Sequence, residues 1–320
     1  MSIKTEEEVI TKSPVIGEKL KEKRKYVRKI SLKAETILAS KVIPTVTTAD
    51  GYVTLNGYFK VEEGTYKIIK SNIENKRNTM LLGPTGGGKT ELVENIGKIL
   101  GLPVTIFDMG TMVDPIMGLV GNHTITVEAG VTKSKFMKSR FTEVIQKPGI
   151  VCLDEINRSG VQAGNLLFPV LDFRKSLAME YCFEDTTPIK VHPECVFIAT
   201  ANLGSQYSGV TKIDRALLDR FMAIEIDPLE MSESKKMLNF LYPKLTTDQL
   251  DKITNCYELI NKAHDDYTIS FNLSMRHLKT VCELVVDKFT IYDSYYAICK
   301  GIGGKEAMNA IELILTANAK

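Results

Sequence analysis

The chain has 320 residues, 44% hydrophobic and 25% charged, with a formal net charge of +2, the composition of a folded globular protein with room for one large domain and a smaller second one. That near-neutral balance argues against an obligatory nucleic-acid partner. No apolar run approaches the roughly eighteen residues a membrane span needs, and the opening residues are rich in Lys and Glu, so no membrane association is expected and the protein should stay in the cytoplasm.

Residues 1–49 read as a basic arm or helix outside the core: Lys19, Lys21, Lys23, Arg24, Lys25, Arg28 and Lys29 cluster ahead of an apolar rhythm at Ile30, Leu32, Ile37 and Leu38. A solvated helical face and a surface for nucleic acid or an acidic partner both remain open. Tyr52-Val-Thr-Leu55 and Tyr58-Phe-Lys-Val61 then flank Asn56-Gly57, the dipeptide that best tolerates the positive backbone angles of a type I′ turn, so a β-hairpin is expected.

Residues 50–228 alternate short apolar strands with helical stretches, the pattern of a parallel sheet covered on both faces. The expected strands are Thr79 to Leu82, Val104 to Phe107, Ile150 to Leu153, Val196 to Ala199 and Ala223 to Ile226. Residues 229–320 read as helices only: Ser232 to Leu241, Thr246 to His264, Ser274 to Phe289 and Tyr292 to Ala319. Thr246 with Gln249 forms a capping box and Ser274 suits an N-cap. The fold class is therefore α/β, followed by an all-helical subdomain.

Between the first strand of that sheet and the helix from Glu91 to Leu100 lies Gly83-Pro84-Thr85-Gly86-Gly87-Gly88-Lys89-Thr90, which fits G-x-x-x-x-G-K-[ST] in the context the motif requires. Such glycines let backbone N–H groups turn around a β-phosphate, and the helix N-terminus adds partial positive charge. Lys89 then reaches the β and γ oxygens of ATP, and the Thr90 hydroxyl ligates Mg²⁺. Further on, Ile150-Val-Cys-Leu-Asp154-Glu155 makes a buried strand ending in two carboxylates at its carboxyl edge, where ligands of open α/β sheets sit. Asp154 suits the magnesium and Glu155 the polarisation of an attacking water.

These motifs, with several beyond them, resemble an AAA+ ATPase, and more narrowly the MoxR, CbbQ, NorQ, GvpN and midasin group. Asp154-Glu-Ile-Asn-Arg158 resembles that group's DEINR; Val191 to Asn202, followed by Tyr207-Ser-Gly209, resembles its HP-x-F-x-(I/V)-AT-x-N and Y-x-G pattern; Ala216-Leu-Leu-Asp-Arg220-Phe221 resembles AL-x-DRF; and Leu273-Ser-Met-Arg276 resembles its second sensor. The resemblance implies that Asn202 is the first sensor, orienting the lytic water beside Glu155. It implies that Arg220 is an arginine finger lent to a neighbouring subunit, and that Arg276 couples nucleotide state to a helical lid. Arg158 and Arg215 are further interface candidates. A homo-oligomer follows from Arg220, commonly a hexamer in this group.

Two insertions also match the narrower group: a hairpin over Asn122 to Phe136 turning at Glu128-Ala-Gly130, and a second over Leu177 to Cys182 and Ile189 to Val191. They are candidates for engaging a protein client, with plain surface decoration as the alternative. Relatives of the group often act with a von Willebrand factor A domain partner. A nucleic-acid motor of the McrB kind stays open through Lys133, Lys135, Lys138 and Arg140, and a non-hydrolysing scaffold is a third reading. Six scattered cysteines without metal spacing read as reduced, mostly buried thiols. His192 reads as structural, and His123, His264 and His277 carry no functional signal.

Overall fold

A computed structural model describes residues 46–49, 51–128, 131–182, 184–202, 213–303 and 307–319. The basic stretch at 19–29, the Ala129-Gly130 hairpin tip and Tyr207-Ser-Gly209 lie outside the described residues.

Three short antiparallel strands come first: β1 (Val46–Ala49), β2 (Tyr52–Leu55) and β3 (Phe59–Glu62). The expected turn is there, with Asn56 and Gly57 at φ 53° and 79° and the Tyr58 N–H donating to Leu55 O at 3.2 Å. The ladder resumes with Leu55 opposite Phe59, so Tyr58 is an extra residue outside it and not the first of the returning strand. β1, inside the stretch expected to be the arm, has four exposed side chains and hence no alternation to betray it.

The central sheet is built from β4 (Thr79–Gly83), β5 (Val104–Asp108), β8 (Gly149–Asp154), β11 (Cys195–Asn202) and β12 (Met222–Glu225), all parallel and ordered β12-β4-β11-β8-β5. Successive residues of a strand point to opposite faces, and here both faces are apolar. Met80, Leu153, Phe197 and Ala199 pack toward α5 (Val161–Leu171), which supplies Leu167 and Val170. Leu81, Cys152, Val196 and Ile198 pack toward α1 (Glu63–Glu74) and α2 (Lys89–Leu100), which supply Ile69, Leu92 and Ile96, and toward Leu55, Phe59 and Val61 of the hairpin.

Two short helices, α3 (Pro115–Leu119) and α4 (Arg140–Val144), bracket a long hairpin of β6 (Gly121–Glu128) and β7 (Val131–Lys138), in register from Gly121 opposite Lys138. The second expected hairpin shrinks to β9 (Ser176–Leu177) against β10 (Ile189–Lys190). Its intended strand from Leu177 to Cys182 instead folds into a turn whose Met179 and Cys182 point into the core, because burial of those two outweighed strand propensity. A four-residue helix, α6 (Arg215–Leu218), capped by Asp214, leads into β12.

The remainder is helical: α7 (Met231–Leu241), α8 (Thr247–Asp265), α9 (Met275–Val286), α10 (Ile291–Gly303) and α11 (Met308–Asn318), around a core of their own centred on Tyr295, Ile253, Leu278 and Ile311. Both capping assignments hold, Thr246 with Gln249 and Ser274 with His277 in the reciprocal position. The expected single helix from Tyr292 to Ala319 is two, with Gly301, Gly303 and Gly304 clustered where the first one stops. All six cysteines are unpaired and buried, and burial pushes the thiols of Cys256, Cys282 and Cys299 up to about 11, 12 and 12.

Candidate active site

Strand order explains how residues far apart in sequence meet. β11 lies between β4 and β8, with Asn202 in register beside Gly83 and Ala199 beside Leu153. Neighbouring strands are about 4.8 Å apart, so the phosphate loop after β4, the amide ending β11 and the acidic pair ending β8 emerge side by side at the carboxyl edge.

The loop from Gly83 through Pro84, Thr85, Gly86 and Gly87 to Gly88 turns directly into α2, whose first residue is Lys89. The helix therefore begins before the expected Glu91, as it must if Lys89 and Thr90 are to face the loop. Gly86 has φ 77°, and a Cβ there would stand 3.0 Å from Ser274 Cβ, so conformation and space both demand glycine. Gly88 has the same φ and lies against the Phe59 ring. Behind the loop lies a cavity of about 510 Å³ lined by Tyr52, Phe59, Val61, Gly87, Leu92, Ile226 and Pro228 among others.

Lys89 is 7% exposed, and its Nζ donates to Gly83 O at 3.0 Å, Pro84 O at 2.8 Å and Asn202 Oδ1 at 2.9 Å. Desolvation lowers its ammonium to about 8, against the opposing pull of Asp154 and Glu155. Asn202 Nδ2 donates to Glu155 Oε1 at 3.2 Å, and Arg158 Nε meets Glu155 Oε2 at 3.0 Å. Thr90 Oγ1 donates to Asp154 Oδ1 at 2.6 Å. Glu155 sits at φ 52°, a left-handed conformation that is uncommon for a non-glycine residue. The chain turns there from β8 into a short 3₁₀ turn, Ile156–Arg158.

Two residues that the sequence reading passed over hold this arrangement. Thr200 Oγ1 donates to Asp154 Oδ1 at 2.6 Å and accepts from the Glu155 N–H at 3.0 Å, fixing the Asp154 carboxylate and the Glu155 backbone. Asn157 Nδ2 donates to Asn202 O at 2.9 Å. Asn157 lies inside Asp154–Arg158 and Thr200 inside Val191–Asn202, and a polar residue in an otherwise apolar strand is the signal that marks Thr200.

Arg220 and Arg276 are not brought into this network. Arg220 precedes β12, whose Met222 is in register with Thr79 at the start of β4. It therefore lies at the amino edge, and the four steps from Thr79 to Gly83 alone are about 13 Å. Arg276 is exposed in the first turn of α9, two residues from the Ser274 that touches Gly86. Arg158 is engaged by Glu155, while Arg215 is exposed at the start of α6. His192 shapes a turn by accepting from the Glu194 N–H at 3.0 Å, and His123 meets Ser134 Oγ and Tyr181 O, joining the long hairpin to the turn after β9.

Residues 78–221 match the family model described as the AAA domain, dynein-related subfamily. NtrX from Brucella abortus, solved with ADP, superimposes with a TM-score of 0.50 at 14% identity, covering 82% of this chain and 54% of that one. The fold is AAA+. An uncharacterized protein of Staphylococcus epidermidis is 30% identical over 174 residues, which is 54% of this chain and 64% of that protein. One from Staphylococcus aureus is 26% identical over 235 residues, 73% and 87% of the two chains. The chain thus spans less than two thirds of the first of these relatives and about half of NtrX. β1 to β3 and all five C-terminal helices lie outside the matched residues. Among the described residues, no helix is long and apolar enough to cross a membrane.

Proposed function

We propose that the chain binds and hydrolyses ATP on the loop Gly83 to Thr90, and that it works as a ring-forming AAA+ ATPase of the MoxR and CbbQ kind, remodelling or activating a protein client. The observation that carries this reading is the continuous set of contacts from Lys89 through Asn202 to Glu155, delivered by three adjacent strand ends. A phosphate-binding cation, an amide with both donor and acceptor, and a carboxylate within hydrogen-bond reach are the groups that transfer of a phosphoryl group to water requires.

In this reading the loop amides and Lys89 hold the β and γ phosphates, and the base and ribose extend toward the cavity behind Gly87. Asn202 orients a water, and Glu155 takes its proton. Thr90 and Asp154 offer two hard oxygens 2.6 Å apart, a donor set that fits Mg²⁺; the ion would supply charge neutralisation between the terminal phosphates. The strand-length separation of Arg220 from Gly83 supports a role toward a second copy, since its side chain is too short to serve the loop of its own chain. Arg276 follows by two residues the Ser274 that touches Gly86, which supports a role for it in reporting loop occupancy to the helical region.

The decisive measurement is hydrolysis by Glu155→Gln together with nucleotide binding by the same variant: binding retained and turnover lost is expected, and turnover at the unmutated rate refutes the assignment. Proteins captured by the Glu155→Gln form identify the client, a von Willebrand factor A domain protein among the candidates. A second reading, a nucleic-acid-stimulated motor, is favoured by exposed Lys133, Lys135 and Lys138 on the β6–β7 hairpin; stimulation of hydrolysis by single-stranded DNA, duplex DNA or RNA selects it.

A further inference from the structure

At the amino edge of the sheet, Arg220 is held in an unusual way. Its guanidinium carbon stands 4.4 Å from the centroid of the Phe168 ring, and its Nη1 donates to Ala216 O one helical turn back. Its Nη2 comes only within 3.6 Å of Asp172 Oδ2. Its Nε–H is buried and has no hydrogen-bond acceptor among the described residues. Asp172 itself is gripped by Arg174, with Nη2 at 2.6 Å from Oδ2 and Nε at 3.1 Å from Oδ1.

The backbone beneath is rigid. Asn78 Nδ2 donates to Leu171 O at 2.8 Å, at the end of α5, and to Arg220 O at 3.1 Å, tying the two segments to the foot of β4. The electrostatic consequence is an imbalance: one carboxylate faces two guanidiniums, and the nearer of them, Arg174, takes the short bonds. Arg220 therefore keeps a charge that no described residue of its chain fully neutralises. It lies over the Phe168 ring, a contact that holds a guanidinium without consuming its N–H groups.

We propose that Phe168 and Asp172 are positioning residues for Arg220. The Phe168 ring sets the plane of the guanidinium, and Asp172, its charge largely taken by Arg174, aims it through one long contact that phosphoryl oxygens on a second copy can displace. The inference rests on the reading of Arg220 as a group lent between copies.

The test uses mixed assemblies of full-length chains. Glu155→Gln chains keep Arg220 and lack a base; Arg220→Ala chains keep the base and lack the guanidinium. Mixing the two should restore hydrolysis that neither shows alone. Adding Phe168→Leu to the Glu155→Gln chain should cut the restored rate about ten-fold, and Asp172→Asn in the same chain several-fold. The same substitutions in the Arg220→Ala chain, where no guanidinium remains to be aimed, should leave the restored rate within two-fold. Phe168→Tyr, which keeps a ring face, should recover most of the loss. Equal losses in both arrangements, or no loss when the substitution accompanies Arg220, overturn the proposal. Absence of any restored rate in the parent mixture overturns the reading of Arg220 itself, and this inference with it.

Discussion

At the carboxyl edge of the sheet, Lys89, Asn202, Glu155, Asp154 and Thr90 are joined by contacts of 2.6 to 3.2 Å, whereas at the amino edge Arg220 reaches Asp172 only at 3.6 Å and its Nε has no acceptor among the described residues. Three neighbouring strand ends build the first cluster, and the chain completes it alone. The second is stacked and tethered, yet retains surplus charge. The proposed function assigns the two ends different parts: the first would hold the nucleotide, and the second would offer a cation to a nucleotide held by another copy.

Substitutions that strike one end and not the other test this division. The largest effect is expected from Glu155→Gln, which should lower turnover by on the order of 10² to 10⁴-fold while leaving nucleotide binding in place. It should do so at every protein concentration. Arg220→Ala should also lower turnover steeply, yet leave nucleotide affinity of the dissociated chain unchanged; an affinity loss measured by titration at low protein concentration would collapse the distinction between the two ends.

Thr200→Val should be intermediate. The side chain is nearly isosteric, but both the Asp154 and Glu155 contacts disappear, and losses of about ten- to a hundred-fold in turnover are typical when such supporting contacts go. Thermal stability should shift little, so a large fall in melting temperature would mean that Thr200 serves packing instead.

The pH dependence of binding is the finer probe of the carboxyl edge. Lys89 titrates near 8 in its buried setting, and a bound triphosphate favours its charged form. Affinity should therefore be flat below pH 8 and fall above it by up to about ten-fold per pH unit, with proton uptake on binding in that range. Isothermal titration in buffers of different ionisation enthalpy reads this directly; no proton uptake at pH 8.5 would contradict it. Smallest of all, Thr246→Ala, remote from both ends, should cost about 1 kcal/mol through loss of the α8 cap and leave turnover unchanged.

Much of the carboxyl edge was legible in the sequence because its residues are adjacent in chain order to strand ends, and apolar runs of four or five residues mark strands well. Gly83 to Thr90, Asp154, Glu155 and Asn202 all fall there. Thr200 and Asn157 were not read, since their importance comes from strand adjacency, which the order of strands in the chain does not reveal. The amino edge was legible only as far as Arg220: Phe168 and Asp172 lie 52 and 48 positions earlier and meet it through the descent of α5. Tertiary burial also explains the shortened second hairpin, where Met179 and Cys182 abandoned a strand to enter the core.

The contact between Gly86 and Ser274 has a mechanical outcome. With only 3.0 Å separating Ser274 Cβ from where a methyl on Gly86 would stand, the loop has no slack on that side. Ser274 caps α9, whose buried Leu278, Val281 and Cys282 hold it among the neighbouring helices, so the loop abuts an element anchored in the helical core. A bulkier residue at Gly86 should press against Ser274 and spread the loop from the start of α9.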